Sequence, residues 1–303
     1  MSPDEIAALN ARYAIPGELV FRQDDSGLAV VEVTSRGVCA SIFLQGGQLT
    51  SWVPAGGQPV IWLSPAARFA AGKSIRGGVP VCWPWFGPHA ADAAFPAHGF
   101  VRTLPWQMVA TKSLEEGGVR LWLQLPQSDQ PRQLWPHSSQ LELRFTIGRT
   151  LDIELLTRNT GTASFTIGEA LHSYFFVSDV RCITLHGLDG CVYLDKVEQG
   201  RRRQSSEPVT ISAETDRVYL ATTADCVIDD PGLERRIRIS KRGSSSTVVW
   251  NPWAEKAARL GDMGEDGYLN MLCVESGNAA DDVVIIEPGS EHRLWVRYQV
   301  ETT

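Results

Sequence analysis

Short runs in which apolar and polar residues alternate dominate the chain. The clearest pair is Leu-Glu-Leu-Arg-Phe-Thr-Ile at 141–147 and Leu-Asp-Ile-Glu-Leu-Leu-Thr-Arg-Asn at 151–159, joined by Gly148-Arg149-Thr150. Leu141, Leu143, Phe145 and Ile147 face one way, and Leu151, Ile153 and Leu155 follow suit. A period of two on both sides of a short polar link predicts an antiparallel hairpin with one buried face. Further runs rich in Val, Ile, Leu and Trp lie at 27–33, 38–45, 48–53, 59–63 and 119–125. They continue at 164–177, 182–188, 217–223, 235–250, 269–275, 282–287 and 292–300, with Gly and Pro between them. One segment keeps the other period. Ser2 is placed to cap a helix, Pro3 to occupy its first position, Asp4 and Glu5 to fill its first turn, and Ile6, Leu9 and Tyr13 to recur along one face, so residues 3–13 read as a short helix.

There is no strand-helix rhythm, no internal repeat, and no proline- or serine-rich linker. Many antiparallel strands without a divider predict an all-β protein: a large antiparallel β-sandwich with a short N-terminal helix, residues 1–303 forming a single domain.

Composition narrows the partners. The 303 residues are 43% hydrophobic and 21% charged, with a net charge of −7 and no sustained basic stripe. That balance argues against nucleic acid, whose binding rests on neutralising phosphates. The one basic run, Arg201-Arg202-Arg203, is followed by Gln-Ser-Ser-Glu and reads as a solvated loop. Six scattered cysteines without a CxxC pair fit reduced thiols in a cytosolic protein. The N-terminus has acids where a secretion signal carries basic residues, and no apolar stretch is long enough to cross a bilayer. A soluble cytoplasmic protein is expected, with no membrane association and nothing that calls for a partner subunit, hence a monomer.

Three stretches hold candidate chemistry. In Glu-Ala-Leu-His-Ser-Tyr-Phe-Phe-Val at 169–177, a strand reading places Ala170, His172, Tyr174 and Phe176 on one face and Leu171, Ser173, Phe175 and Val177 on the other. His172 is therefore expected among apolar neighbours, where a lone histidine is more often a hydrogen-bonded core group than a functional one. In Tyr-Leu-Asn-Met-Leu-Cys-Val-Glu-Ser-Gly-Asn at 268–278, Met271, Cys273 and Glu275 share a face. Glu275 either reaches solvent at the following turn or is buried, in which case its pKa rises toward that of a general base working near neutrality. The third stretch, Arg-Gly-Gly-Val-Pro-Val-Cys-Trp-Pro-Trp-Phe-Gly-Pro-His at 76–89, continues to Pro-Ala-His-Gly-Phe-Val-Arg at 96–102. Arg76 and Arg102 carry planar forks suited to phosphate or carboxylate. Gly77 and Gly78 would let backbone approach a ligand. Trp83, Trp85 and Phe86 would either stack on a sugar ring or belong to the core, and His98 would donate to sugar hydroxyls. Cys182, His186 and Cys191 have metal-ligand types but no evident fourth ligand. No GxGxxG, Walker, GxSxG or HExxH pattern occurs, so neither a metal nor a cofactor is expected.

Taken together, Gly-Gly-Gln-Leu-Thr-Ser-Trp at 46–52, the 75–89 and 96–106 blocks, Ala-Leu-His-Ser-Tyr-Phe-Phe at 170–176, Thr-Asp-Arg-Val-Tyr-Leu at 215–220 and the 248–278 block occur in one order. In these blocks the chain resembles the hexose-6-phosphate mutarotases of the galactose mutarotase-like superfamily. The resemblance runs from about residue 45 to about residue 295. It implies a supersandwich fold and interconversion of α and β anomers of an aldohexose 6-phosphate. It further implies that His172 is the general acid and Glu275 the general base, that Arg76, His98 and Arg102 line the phosphate and sugar site, and that Asp216 is a substrate-binding acid. Ala97 departs from the family, some members of which carry Gln there as a sugar contact, and Ser276 stands where Pro is frequent.

The residue types suit the reaction on their own terms. Mutarotation removes a proton from the anomeric hydroxyl, delivers one to the ring oxygen, and recloses the aldehyde after rotation about C1–C2. An imidazole and a carboxylate can do this without metal or nucleotide. Two other readings remain at this point: a mutarotase of free hexoses, and a non-catalytic carbohydrate-binding sandwich module.

Overall fold

The computed structural model describes residues 1–127 and 131–302. Its frame is two eight-stranded antiparallel sheets, accompanied by a four-stranded sheet of residues 19–53 and a two-stranded pair. The first large sheet, here the site sheet, runs 201–204, 192–195, 215–219, 246–251, 271–278, 169–171 and 81–82, with 174–176 also pairing on 271–278. The second, the back sheet, runs 184–186, 226–230, 235–242, 291–302, 151–159, 139–147, 119–125 and 107–113. The expected hairpin lies in the back sheet, in register from Ser139↔Asn159 to Ile147↔Leu151. Its seven alternating apolar residues are all buried in one cluster that also takes in Leu272, Val274, Leu171 and Phe175 from the site sheet. The inner faces of the two sheets thus pack on each other. Phe175 meets Tyr298 edge to face at 5.0 Å, and Trp83 Nε1 donates to Thr157 Oγ1 at 3.0 Å. The fold is the large antiparallel β-sandwich that the strand pattern predicts.

The helix Pro3–Tyr13 forms as expected, with Ser2 accepting from the Glu5 N–H and the Glu5 side chain accepting from the Ser2 N–H. A second helix, Trp253–Leu260, was not expected from the pattern. Asn251 Oδ1 accepts the Trp253 N–H at 2.9 Å at its start, and Gly261 closes it in the left-handed conformation. The segment 59–63 forms no regular strand. It is tied in by single bridges, Ile61↔Phe175 and Leu63↔Gly77. Arg201–Gln204 is an exposed edge strand, not a loop, although its side chains are solvated as expected. All six cysteines are free thiols. Among the described residues no helix is long and apolar enough to cross a membrane.

Two glycines expected to face a ligand meet backbone instead. A Cβ on Gly78 would lie 2.3 Å from Leu49 O, and one on Gly77 2.7 Å from Trp62 O, so both are needed to let neighbouring chains pass. Gly99 is tighter still: at φ +71° its Cβ would stand 1.8 Å from Trp83 O. Gly99→Ala is therefore expected to cost at least about 1–3 kcal/mol, from left-handed strain alone. The check is the urea midpoint, and an unchanged midpoint would contradict the contact.

Candidate active site

The strand Met271–Asn278 is buried along its whole length, and its two faces go to different places. Leu272 and Val274 enter the inter-sheet core, whereas Met271 and Cys273 join a separate cluster with Trp62, Tyr174 and Trp250 on the outer face. Alternation puts Glu275 on that outer face too. The strands Glu169–Leu171 and Tyr174–Phe176 both pair with this one, Leu171 opposite Ser276 and Tyr174 opposite Cys273. His172 sits in the break between them, its N–H donating to Pro80 O at 3.0 Å. That register brings His172 Nε2 to 3.4 Å from Glu275 Oε1, across about a hundred positions of sequence.

Around the pair the rings are ordered. Tyr174 stacks on His172 at 4.8 Å and 9°, and Trp250 meets His172 edge-on at 6.0 Å. The His98 ring stands 5.7 Å from His172 with Phe86 edge-on behind it at 4.8 Å. The Gly87 N–H reaches His98 Nδ1 at 3.4 Å, which leaves the imidazole proton on Nε2, free to donate. Arg76 joins through Tyr174, Nη1 donating to the phenol oxygen at 3.1 Å while Nε donates to Asp262 Oδ1 at 3.0 Å. Arg102 Nη2 donates to Ala97 O at 2.8 Å. Asp216 lies opposite Trp250 in the neighbouring strand, with Lys256 Nζ 3.8 Å from its carboxylate.

Burial sets the charges. Glu275 is 1% exposed, which overturns the solvent-turn alternative; burial drives its carboxyl well above the usual range, Asp216 adds to this, and Arg102 opposes it. His172 is pushed well down by burial, then by His98, Arg102 and Arg76. His98 is lowered to about 4, by burial first and then by the two arginines, so it is neutral at pH 7. Burial alone would lower Arg76, but the Tyr174 hydroxyl and the Asp262 carboxylate more than offset it and hold the guanidinium charged. Burial therefore favours the uncharged form of the pair, a carboxylic acid beside a neutral imidazole. Moving its one proton across 3.4 Å gives the carboxylate–imidazolium form with the same total charge. Glu275 Oε2 and His172 Nδ1 are buried and have no hydrogen-bond partner among the described residues. Unsatisfied buried groups are costly, and they gather where a ligand completes them.

The tryptophan expectation needs correcting. Trp83 is fully buried in the inter-sheet core, and Trp85 is engaged by His89, Phe95 and Phe100, with its Nε1 donating to Pro96 O at 2.9 Å. Phe86 supports His98 and packs with Val218 and Leu220. The rings beside the pair are Tyr174 and Trp250, which the sequence reading did not single out. Tyr174 was findable as the next residue on the face of His172; Trp250 required the sheet order. Asp262, the partner of Arg76, was also missed. A hollow of about 300 Å³ lined by Arg120, Trp122, Arg144 and Trp295 belongs to the back sheet and holds no such proton-transfer pair.

The profile of the aldose 1-epimerase family matches residues 29–299. The chain belongs to the aldose 1-epimerase family and is an isomerase of that class. More particularly, it is 38% identical over 270 residues to an Escherichia coli K12 protein, covering 89% of each chain, and 41% identical over 254 residues to one from Salmonella typhimurium, covering 84% of this chain and 83% of that one. Both bear the provisional name glucose-6-phosphate 1-epimerase. Among solved structures, the provisionally named mutarotase YeaD of Salmonella typhimurium superposes with a TM-score of 0.88 at 37% identity, over 99% of this chain and all of that one.

Proposed function

We propose that this enzyme interconverts the α and β anomers of aldohexose 6-phosphates, glucose 6-phosphate foremost, with Glu275 as general base and His172 as general acid. The observation that carries the reading is the buried 3.4 Å imidazole–carboxyl contact with one free atom on each group. In the carboxylate–imidazolium form, Glu275 takes the proton of the anomeric hydroxyl while His172 protonates the ring oxygen, and the ring opens to the aldehyde. The pair is then left as carboxylic acid and neutral imidazole, the form that burial favours. After rotation about C1–C2, each group reverses its transfer and the ring closes on the other face. Arg76 and Arg102 hold the phosphate, neutral His98 donates from Nε2 to a sugar hydroxyl, and Asp216 accepts from another. The names of the relatives support the phosphorylated substrate over the free sugar. The scheme needs no metal, nucleotide or second subunit. A phosphate dianion does not cross membranes unaided, so the cytoplasm is the compartment that suits it. NMR exchange between the anomers of glucose 6-phosphate, with glucose and galactose for comparison, tests the assignment. Exchange no faster than without protein would defeat it.

The pH profile follows from the shifts. Activity needs one proton on the pair. On the acid side it falls when His172 takes a second proton, and because His172 is lowered this limb lies below the ordinary histidine value of 6.5. On the alkaline side it falls when Glu275 loses the last proton, and because Glu275 is raised this limb lies well above the ordinary 4.5. After correction for the substrate phosphate, which titrates near pH ~6, kcat/KM is expected to hold steady as pH falls through 6.5. A decline as pH drops through 6.5 would contradict the neutral imidazole.

A further inference from the structure

We propose that His172, Cys273 and Glu275 together form a capture site for a borderline-soft divalent metal ion, Zn²⁺ foremost, and that the bound ion shuts off proton transfer. One ligand atom from each residue lies within 4.8 Å of the others. Tetrahedral zinc with bonds of about 2.0–2.3 Å requires ligand–ligand edges of roughly 3.4–3.6 Å. The His172 Nε2–Glu275 Oε1 edge is already 3.4 Å. The thiol lies no more than 4.8 Å from the other two ligand atoms, so about 1 Å is left to close. Cys273 is held there because it shares the outer face of its strand with Glu275, two positions away, and the acid–base scheme gives it no task.

The donor set decides the kind of ion. Imidazole nitrogen, thiolate sulfur and carboxylate oxygen are each zinc donors, and three ligands with a fourth position open is the count of a catalytic zinc site, whereas Mg²⁺ and Ca²⁺ require oxygen shells. Glu275 Oε2, buried on a 1% exposed residue, has nothing to bond, so no other partner holds that oxygen of the carboxylate away from an ion. Access is not a further demand, because a sugar that reaches these atoms leaves room for a bare ion. Binding is simple ligand exchange. The thiol proton and the single proton of the pair pass to buffer as the metal–sulfur, metal–oxygen and metal–nitrogen bonds form, and nothing is oxidised or reduced. Both proton-transfer groups are then coordinated, so the ion competes with substrate. The inhibition and the ion's access to these buried atoms rest on the function proposed above; the ligand set and its spacing do not.

Because Cys39 and Cys182 are exposed, the test is made in a Cys39→Ser, Cys182→Ser background. Chelator-treated protein is titrated with Co²⁺, whose thiolate complexes give a near-ultraviolet charge-transfer band. One equivalent should bind with that band, and Cys273→Ala should abolish it. In the anomer-exchange assay Zn²⁺ should inhibit competitively and Mg²⁺ should not. Cys273→Ala should turn over normally while needing at least ~10-fold more Zn²⁺ for the same inhibition, since losing one of three ligands weakens such sites severely. No Co²⁺–thiolate band, or a band that survives Cys273→Ala, overturns the site. A band with zinc-insensitive exchange overturns the inhibition. A band in a protein with no exchange activity keeps the site and defeats the functional reading.

Discussion

Glu275→Gln and His172→Ala are each expected to slow glucose 6-phosphate anomer exchange by about 10²- to 10⁴-fold. The double variant should be little worse than either single one, because the two groups pass one proton in one step. Sugar-phosphate binding should persist, since neither residue is asked to hold the phosphate. Misfolding is separable from lost chemistry at Glu275. The folded carboxyl is raised well above 4.5, so wild-type stability declines as pH rises from the unfolded pKa toward the folded one. An amide has no charge to bury. Glu275→Gln should thus match or exceed the wild-type melting temperature at neutral pH while being nearly inactive. A variant that is both destabilised and inactive, or stable and fully active, would contradict the role given to Glu275.

Arg76→Ala and Arg102→Ala should weaken glucose 6-phosphate far more than glucose. Hydrogen bonds to a charged group are worth about 1.5–3 kcal/mol, or roughly 10- to 150-fold in affinity. The glucose change should be a few-fold at most. Arg76 has two tasks, because it also bonds Tyr174, the ring stacked on His172. Its loss is therefore expected to lower kcat as well as raise KM, while loss of Arg102, anchored on the Ala97 carbonyl, should act mainly on KM. Equal losses for both sugars would favour a free-hexose enzyme.

The reach of the sequence differed from element to element, for physical reasons. The 139–159 hairpin and the 3–13 helix were legible because each declares its period and its ends locally. The helix Trp253–Leu260 had signals, Asn251 before and Gly261 after, but it directly follows a fully buried strand whose apolar run masked the change of period. At the site, the two faces of 169–177 were read correctly: Leu171, Phe175 and Val177 enter the core, and Tyr174 joins the outer cluster. The meeting of His172 with Glu275 followed from family likeness, since their contact depends on pairing between strands far apart in sequence. Trp83 misled because aromatic composition is the same for a sugar platform and a sandwich core. Only packing against Thr157, Phe100 and Trp135 separates them.

The strand Met271–Asn278 serves the sandwich with one face and the chemistry with the other. Inserting or deleting a single residue ahead of Glu275 would send its carboxyl into the oil between the sheets and present Val274 (insertion) or Ser276 (deletion) to His172. Drift in side-chain identity is open to this segment, but drift in length is closed to it. Descendants of this gene should vary freely in how long their outer loops grow while keeping the count of residues here fixed.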